Sequence, residues 1–313
     1  MTLFIVNPVA GNGAGILTVP LIEAAMKDSA APFELVQTER AGHATSIAAD
    51  AVKRGIETIV AVGGDGTVHE VLNGLLADRA VPSRATLAIV PAGSGNDLAR
   101  MLQIPTEVEA ACRLLDDHAL RRIDVGLAKA LDGPRVAELP PDGRFFVNML
   151  GIGFTAAVVL ESLAVGPLTG MERYAKAIER ALQSRWGTPD VKLVADGQSL
   201  SERIVIQEIC NGQWEGGGFR VAPDARIDDG WFDIVTVAAM SQPELMELLP
   251  RIATGDHRGH DAVSIIRARH VAWESAEPVA IQADGEVLAE AALRVECLVL
   301  PRAVGVACPH GTD

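Results

Sequence analysis

The chain has 313 residues, of which 49% are hydrophobic, 22% charged and 4% aromatic. That length and composition suit two soluble globular domains, each large enough for its own core, and exclude a disordered or low-complexity chain. With 27 basic against 41 acidic residues the formal charge is −14, which excludes nucleic acid as the main partner, because that binding rests on clustered Lys and Arg and on stacking aromatics.

Residues 1–8 carry no basic region ahead of the apolar run, so they read as a strand rather than a secretion signal. No apolar run reaches the ~20 residues that span a bilayer. Residues 3–6, 33–36, 58–62 and 87–90 are short apolar runs. Between them, 16–26, 44–52, 68–76 and 97–102 carry apolar residues at helical spacing. Strands alternating with helices in units of ~30 residues predict a parallel sheet with both faces covered. From Ile123 onward the pattern changes to strand-like runs at 145–149, 191–194, 203–209, 232–237, 271–273, 279–282 and 293–300. The dipeptides Asp132-Gly133, Asp142-Gly143, Asp196-Gly197, Asp229-Gly230 and Asp284-Gly285 punctuate them. The expected architecture is an α/β nucleotide-binding domain over 1–122 and an antiparallel β-sandwich over 123–298. The sandwich carries two helical inserts, 171–186 and 244–253. Residues 299–313 form a closing segment.

Cys112, Cys210, Cys297 and Cys308 show no metal-like spacing and read as reduced, buried thiols of a cytoplasmic protein. His257 and His260 read as part of a solvated loop. On a helix over 171–186, Met171, Tyr174, Ala175, Ile178, Ala181 and Leu182 share one face, while Arg173, Lys176, Arg180 and Arg185 outnumber Glu172 and Glu179. This segment either covers the sandwich or faces a membrane.

Three strand ends open into turns of small residues: Asn7 through Gly15, Gly63-Gly64-Asp65-Gly66-Thr67, and Pro91-Ala92-Gly93-Ser94-Gly95-Asn96-Asp97. The carboxyl ends of parallel strands form one rim, and glycine lets backbone amides approach an anion there, so the rim predicts a phosphate cradle. Asp65, a carboxylate among those amides, implies a cation or a substrate proton between it and the anion. Asp97, 32 positions on, lies on the same rim. No Gly-Lys-Ser/Thr follows a glycine turn, which excludes a Walker A loop, and Ile16 stands where a dinucleotide fingerprint needs glycine. In Gln282-Ala283-Asp284-Gly285-Glu286 a hairpin turn carries two carboxylates, either of which suits the proton acceptor that a kinase needs at the attacking hydroxyl.

Together these residues resemble the diacylglycerol kinase catalytic-domain family, which includes sphingosine and ceramide kinases and soluble bacterial lipid kinases. The resemblance rests on Asn7-Pro8 with Gly11 and Gly13, on Gly63 through Thr67 with Glu70 and Asn73, and on Pro91 through Asp97 with Ala99 and Arg100. It continues through Ile123-Asp124-Val125-Gly126, Asn148, Gly151 through Phe154, Asn211-Gly212, Gly216-Gly217-Gly218, Ala222 through Ala225, Ile227 through Gly230, and Asp284 through Glu286. It implies an NAD kinase- and phosphofructokinase-like nucleotide domain and transfer of the ATP γ-phosphate, with Mg²⁺, to a lipid hydroxyl at a membrane surface. The expected nucleotide site comprises Asn7, Gly11, Gly13, Thr38, Gly63, Gly64, Asp65, Gly66, Thr67, Val68, His69, Gly93, Ser94 and Asn96. Asp65 and Asp97 would belong to the catalytic carboxylate and metal network, with Glu286 the proton acceptor and Asp284 the second choice. A structural Mg²⁺ would take the Asp229 side chain and the carbonyls of Arg226 and Trp231. Ser94 and Trp231 depart from the usual Thr and Leu, which leaves diacylglycerol, another glycerolipid, a sphingoid base and a polyprenol-like alcohol open as acceptors. The rivals are a small-molecule kinase sharing Gly-Gly-Asp-Gly-Thr and a catalytically silent lipid-binding module. An exposed strand edge would suit a homodimer.

Overall fold

The computed structural model describes residues 1–27, 32–78, 84–132, 143–166 and 170–311, the side chains of 170 and 171 aside. The chain divides into two compact units, Met1–Ile123 with Arg302–Asp313, and Asp124–Pro301.

The first unit is built on strands β1 (Thr2–Val6), β2 (Phe33–Gln37), β3 (Thr58–Gly63) and β4 (Thr86–Pro91). They lie parallel in the order β4-β3-β1-β2, and Gly305 and Val306 from the end of the chain add a further parallel partner to β4. β1 is buried throughout, as are all but the first residues of β3 and β4. This is why they read as unbroken apolar runs. Between the strands run α1 (Ala10–Leu17), α2 (Val19–Ala25), α3 (His43–Lys53), α4 (Asp65–Leu75), α5 (Asp97–Met101) and α6 (Val108–Arg113). On one face of the sheet Phe4, Val6, Val60, Val62, Ala88 and Val90 pack against Ile22 of α2 and Ala111 and Cys112 of α6. Fully burying an aliphatic side chain such as Ile22 contributes about 1.5–3 kcal/mol.

Three local readings change. The helix expected over 16–26 is broken at Thr18, whose hydroxyl caps Gly15 O at 2.7 Å, and Pro20 restarts it as α2. α4 begins at Asp65, three residues before its first apolar position, because an acidic residue suits a helix N-terminus whether or not its side chain is buried. α6 lies outside the expected helices, since its apolar face is short, Val108, Ala111 and Cys112.

The second unit begins within β5 (Ala119–Asp132), which leaves the first unit and pairs with β6 (Arg144–Phe146). It continues with β7 (Met149–Gly153), α7 (Phe154–Leu163), α8 (Gly170–Ser184), β8 (Asp190–Ala195), β9 (Gln198–Cys210) and β10 (Phe232–Ala238). The chain then forms α9 (Gln242–Thr254), β11 (Val263–Ala268), β12 (His270–Ala283) and β13 (Glu286–Cys308). The pairing is antiparallel in the order β11-β10-β9-β7-β12-β13, with β8 bridging β9 and β12. One core holds Trp273, Phe146, Phe232 and Ile281, with Phe146 and Phe232 stacked at 5.6 Å. The other is covered by α7, α8 and α9 through Phe154, Ala177, Ala181, Leu245 and Leu248.

Asp196-Gly197 and Asp284-Gly285 are two-residue hairpins with both residues at positive φ (47° and 87°; 51° and 81°), the geometry their sequence asks for. Of the other turn dipeptides, Gly133 and Asp142 lie outside the described residues. The strand expected over 145–149 is split, because the N–H groups of Val147, Asn148 and Met149 turn to the Asp284 carboxylate. The runs at 271–273 and 279–282 are one bulged strand, β12. α7 is a third helix where two were expected.

Candidate functional site

In the first unit the three glycine turns follow β1, β3 and β4, so all lie at the carboxyl edge of the sheet. Gly11, Asn12 and Gly13 take positive φ (56°, 60°, 91°), and a Cβ on Gly11 would stand 2.4 Å from Ala92 O. A Cβ on Gly93 would stand 2.3 Å from Gly64 Cα, and one on Gly63 would stand 2.3 Å from Thr67 Oγ1. The three loops therefore touch backbone to backbone, and glycine is what permits it. Side chains fix the contact. Asn7 donates from Nδ2 to Thr67 Oγ1 at 3.1 Å and accepts Val9 N–H at 3.2 Å. Asn96, itself left-handed, bonds both the N–H (3.1 Å) and the carbonyl (2.9 Å) of Gly93. Asp65 Oδ1 accepts Asp97 N–H at 2.7 Å, so the second loop holds the third.

The fold thus brings Asn7, Gly11, Gly63, Gly64, Asp65, Thr67, Gly93, Asn96 and Asp97 together. Thr38 extends the β1–β2 pairing through its N–H to Val6 O at 2.8 Å, and Ser94 is exposed on the third loop. Val68 and His69 follow in the first turns of α4, with their side chains buried. Asp97 lies at the start of α5 on the same rim. Its side chain is buried and paired with Arg100 at 3.1 Å, and Arg100 also reaches Gly95 O at 3.3 Å. Glu70, a residue of the family resemblance without an expected role, caps α3 by accepting Gly42 N–H and Ala44 N–H at 2.8 and 3.0 Å.

In the second unit, the two carboxylates of the Asp284-Gly285-Glu286 turn are distinguished by their surroundings. Asp284 is buried, and its oxygens accept Val147 N–H and Asn148 N–H at 2.8 Å and Met149 N–H at 3.1 Å. Asn211 completes the knot, donating to Val147 O at 2.8 Å and Asp124 O at 3.1 Å. Glu286 is exposed at the head of β13. The turn is thus a buried structural carboxylate presenting an accessible one.

The donor sets for Mg²⁺ separate in the same way. Asp65, half-exposed among backbone amides, fits a hard cation beside a polyphosphate. In the second-unit set the carboxylate is already engaged. Asp229 Oδ1 accepts Trp231 N–H at 3.1 Å and Oδ2 is paired with the Arg267 guanidinium. Trp231 lies under Arg269 at 4.2 Å and Arg267 at 5.5 Å. Gly230 N–H is taken by Asp124 Oδ2 at 2.6 Å. A cation held by Asp229 with the carbonyls of Arg226 and Trp231 would have to displace the Arg267 guanidinium from Asp229 Oδ2. Among the described residues no group of three or more His, Cys, Asp or Glu could hold a metal.

Two surface readings also change. His257 is fully buried rather than solvated, and burial holds its pKa below the ordinary histidine value. α8 turns Tyr174, Ala177, Ile178, Ala181 and Leu182 onto the core, Ala175 is exposed, and the Met171 side chain lies outside the described residues. Its basic residues are engaged inside the unit: Arg180 and Arg185 clasp buried Glu161 at 2.8 and 2.7 Å, Arg173 bonds Ser162 O, and Lys176 pairs with Glu179. The four cysteines are buried and form no disulfide.

Comparison with known proteins covers both units. Residues 1–128 match the diacylglycerol kinase catalytic domain, and residues 149–308 match the YegS C-terminal NAD kinase beta sandwich-like domain. A Pseudomonas aeruginosa (strain UCBPP-PA14) protein named "Probable lipid kinase YegS-like" is 32% identical over 96% of this chain and 93% of its own length. A "Diacylglycerol kinase" of Staphylococcus saprophyticus subsp. saprophyticus is 26% identical over 90% of this chain and 87% of its own. In fold, the chain is similar to a crystal structure of a diacylglycerol kinase from Bacillus anthracis str. Sterne, with a TM-score of 0.72 at 23% identity over 100% of this chain and 98% of that one.

Proposed function

The chain belongs to the diacylglycerol kinase catalytic-domain family, and we propose that it transfers the γ-phosphate of ATP to the free hydroxyl of a membrane lipid, with diacylglycerol as the acceptor. The observation that carries this reading is the triple glycine junction of the first unit: three loops in backbone contact at the carboxyl edge of a parallel sheet, with Asp65 among them. Such an edge presents backbone N–H donors rather than side-chain bulk, which suits a polyphosphate.

The chain's own residues do two things in the reaction. Asn7, Asn96 and Asp65 lock the loops, so that bound phosphates meet a preformed surface and catalysis is mainly positioning and electrostatics. Glu286, the accessible carboxylate of its turn, takes the proton of the acceptor hydroxyl. The hydroxyl oxygen forms a bond to the γ-phosphorus, the bond from that phosphorus to the bridging oxygen breaks, and ADP leaves. Mg²⁺, when bound near Asp65, supplies neutralisation of the phosphate charge that builds during transfer.

The lipid acceptor implies work at a membrane surface from the cytoplasm. No helix among the described residues is long and apolar enough to cross a membrane. Exposed Val9 and Leu17, beside the first glycine turn, support peripheral contact where α8 does not.

The test is turnover of Glu286→Gln with ATP and diacylglycerol in detergent micelles. Loss of a general base lowers turnover roughly 10²–10⁴-fold, and Asp65→Ala serves as the inactive reference. A Glu286→Gln enzyme with wild-type turnover would reassign the base.

A further inference from the structure

The second unit buries a carboxylic acid that the mechanism above does not use. Glu208 on β9 is fully buried, flanked along its strand by the core residues Ile206 and Cys210 and paired across to Val235 of β10. On its other side it pairs with Gly151 of β7, which pairs in turn with Gln282 of β12. A Cβ on Gly151 would stand 2.4 Å from Gln282 Nε2, 2.8 Å from Glu208 Oε2 and 2.8 Å from Thr155 Oγ1. The missing side chain is therefore the space in which Glu208 and Gln282 approach each other.

Gln282 is used at both ends. Its Nε2 donates to Glu215 Oε1, and its Oε1 accepts Gly285 N–H at 2.7 Å, inside the turn that carries Glu286. Glu215 is itself fixed, because its N–H and carbonyl bond Phe219 at 2.9 Å each, closing a loop over Gly216, Gly217 and Gly218, all at positive φ.

We propose that Glu215 and Gln282 form a polar bridge that positions the Asp284-Gly285-Glu286 turn, with the buried carboxyl of Glu208 set beside Gln282 across Gly151. These are positioning residues: none touches the acceptor, and each acts through Gly285. Nothing in a core of Ile206, Cys210 and Val235 solvates an ion, so burial is the main force raising the Glu208 pKa; the negative charge of Glu215 adds to it and the Thr155 hydroxyl opposes it. The other titratable groups facing Glu208 agree. The Cys210 thiol is pushed up by burial and by Glu208, Glu215 and Asp233, and buried Asp233 faces Arg267 at 3.7 Å. α7, which supplies Thr155, keeps its own acid Glu161 on Arg180 and Arg185. A group whose folded pKa is raised stabilises the fold below its unfolded value and loses that contribution as pH rises through the folded one. The bridge therefore weakens on the alkaline side, when a second negative charge beside Glu215 loosens its hold on Gln282.

The activity readout rests on the Glu286 assignment above; amide exchange at Gly285 does not, so the two are measured together on the full chain. Gln282→Ala is expected to exchange the Gly285 amide about fivefold faster, the effect of one lost hydrogen bond. It is also expected to lower kcat up to about 10²-fold with KM for ATP unchanged, as a displaced group does. As pH is raised through the ionisation of Glu208, wild-type kcat and Gly285 protection fall together after correction for intrinsic exchange. Glu208→Gln, whose amide is neutral throughout, lacks that fall. Should Glu208→Gln not fold, Glu215→Gln reads the same limb, which moves to lower pH once the neighbouring charge that raises the Glu208 pKa is gone. Superimposed pH profiles for wild type and the variant, or wild-type Gly285 exchange in Gln282→Ala, overturn the bridge. A fully active Glu286→Gln overturns the base assignment instead, and Gly285 exchange alone then decides whether the bridge holds.

Discussion

Replacing Asp284 separates the two carboxylates of its turn by thermodynamics. The Asp284 side chain accepts three backbone N–H groups, from Val147, Asn148 and Met149, and is buried. Asp284→Ala leaves all three amides without that acceptor, and a hydrogen bond to a charged group contributes about 1.5–3 kcal/mol, so the loss is roughly 4.5–9 kcal/mol. That is a large share of the roughly 5–15 kcal/mol that holds a domain folded. Asp284→Asn is milder: one amide oxygen still accepts, but its NH₂ meets the N–H that the other carboxylate oxygen took, and roughly 2–4 kcal/mol is lost. For a unit of this size that is about 5–15 °C in Tm. The assay is thermal melting beside turnover, with Glu286→Gln as the paired variant. Glu286 is exposed, so its substitution leaves Tm within about 1–2 °C, the usual range for surface changes, while turnover falls. An Asp284→Asn variant that melts with wild type yet loses turnover would refute this, because Asp284 would then act chemically.

Gly93→Ala forces a methyl to 2.3 Å from Gly64 Cα, parting the second and third loops; KM for ATP is expected to rise at least about tenfold, by lost positioning, and an unchanged KM would remove the glycine junction from the nucleotide site. Because Arg267 rather than a cation closes the Asp229 turn, a chelator is expected to leave the Tm of the second unit unchanged, whereas Arg267→Met lowers it; a chelator-induced fall in Tm would restore a metal there. Glu161 has its pKa lowered, first by its hydrogen bond with Arg185 and further by Ser184 and Arg180. A lowered folded pKa gives stability that is present above the unfolded value and lost as pH falls through the folded one. Glu161→Gln should therefore be less stable than wild type at neutral pH and converge with it in acid, and a pH-independent gap in chemical denaturation would contradict this.

What the sequence made legible follows the range of the forces involved. β1, β3 and β4 are buried along nearly their whole length, so local composition alone marks them as sheet interior, and the loops after them show their function in glycine and asparagine. The breaks at Thr18 and Val147 are hidden for opposite reasons. Thr18 caps a carbonyl three residues away, a weak local signal inside a helical period, while the Val147 break depends on a carboxylate 137 positions later. Distant pairing also decides which carboxylates are open. Asp229 carries Arg267, 38 positions on, and Asp284 carries three amides 135–137 positions back, whereas Asp97 pairs within its own helix with Arg100. Glu208 is hidden in the sequence because a lone acid in Ile-Gln-Glu-Ile reads as the solvent face of a strand. Only the pairing of β9 with β7 and β10 puts it inside a core. α8 shows the same limit, since helical spacing finds an apolar stripe but not what covers it.

Phosphoryl transfer to a lipid hydroxyl is the central claim, and one measurement tests it directly. Transfer of label from γ-labelled ATP with Mg²⁺ is followed over a panel of detergent-dispersed lipids, with NAD and glycerol as soluble acceptors and Asp65→Ala as the blank. Label is expected on diacylglycerol and absent from the blank. Label on NAD alone, or on nothing, would contradict the assignment, the first pointing to a soluble-substrate kinase and the second to a lipid-binding protein without turnover.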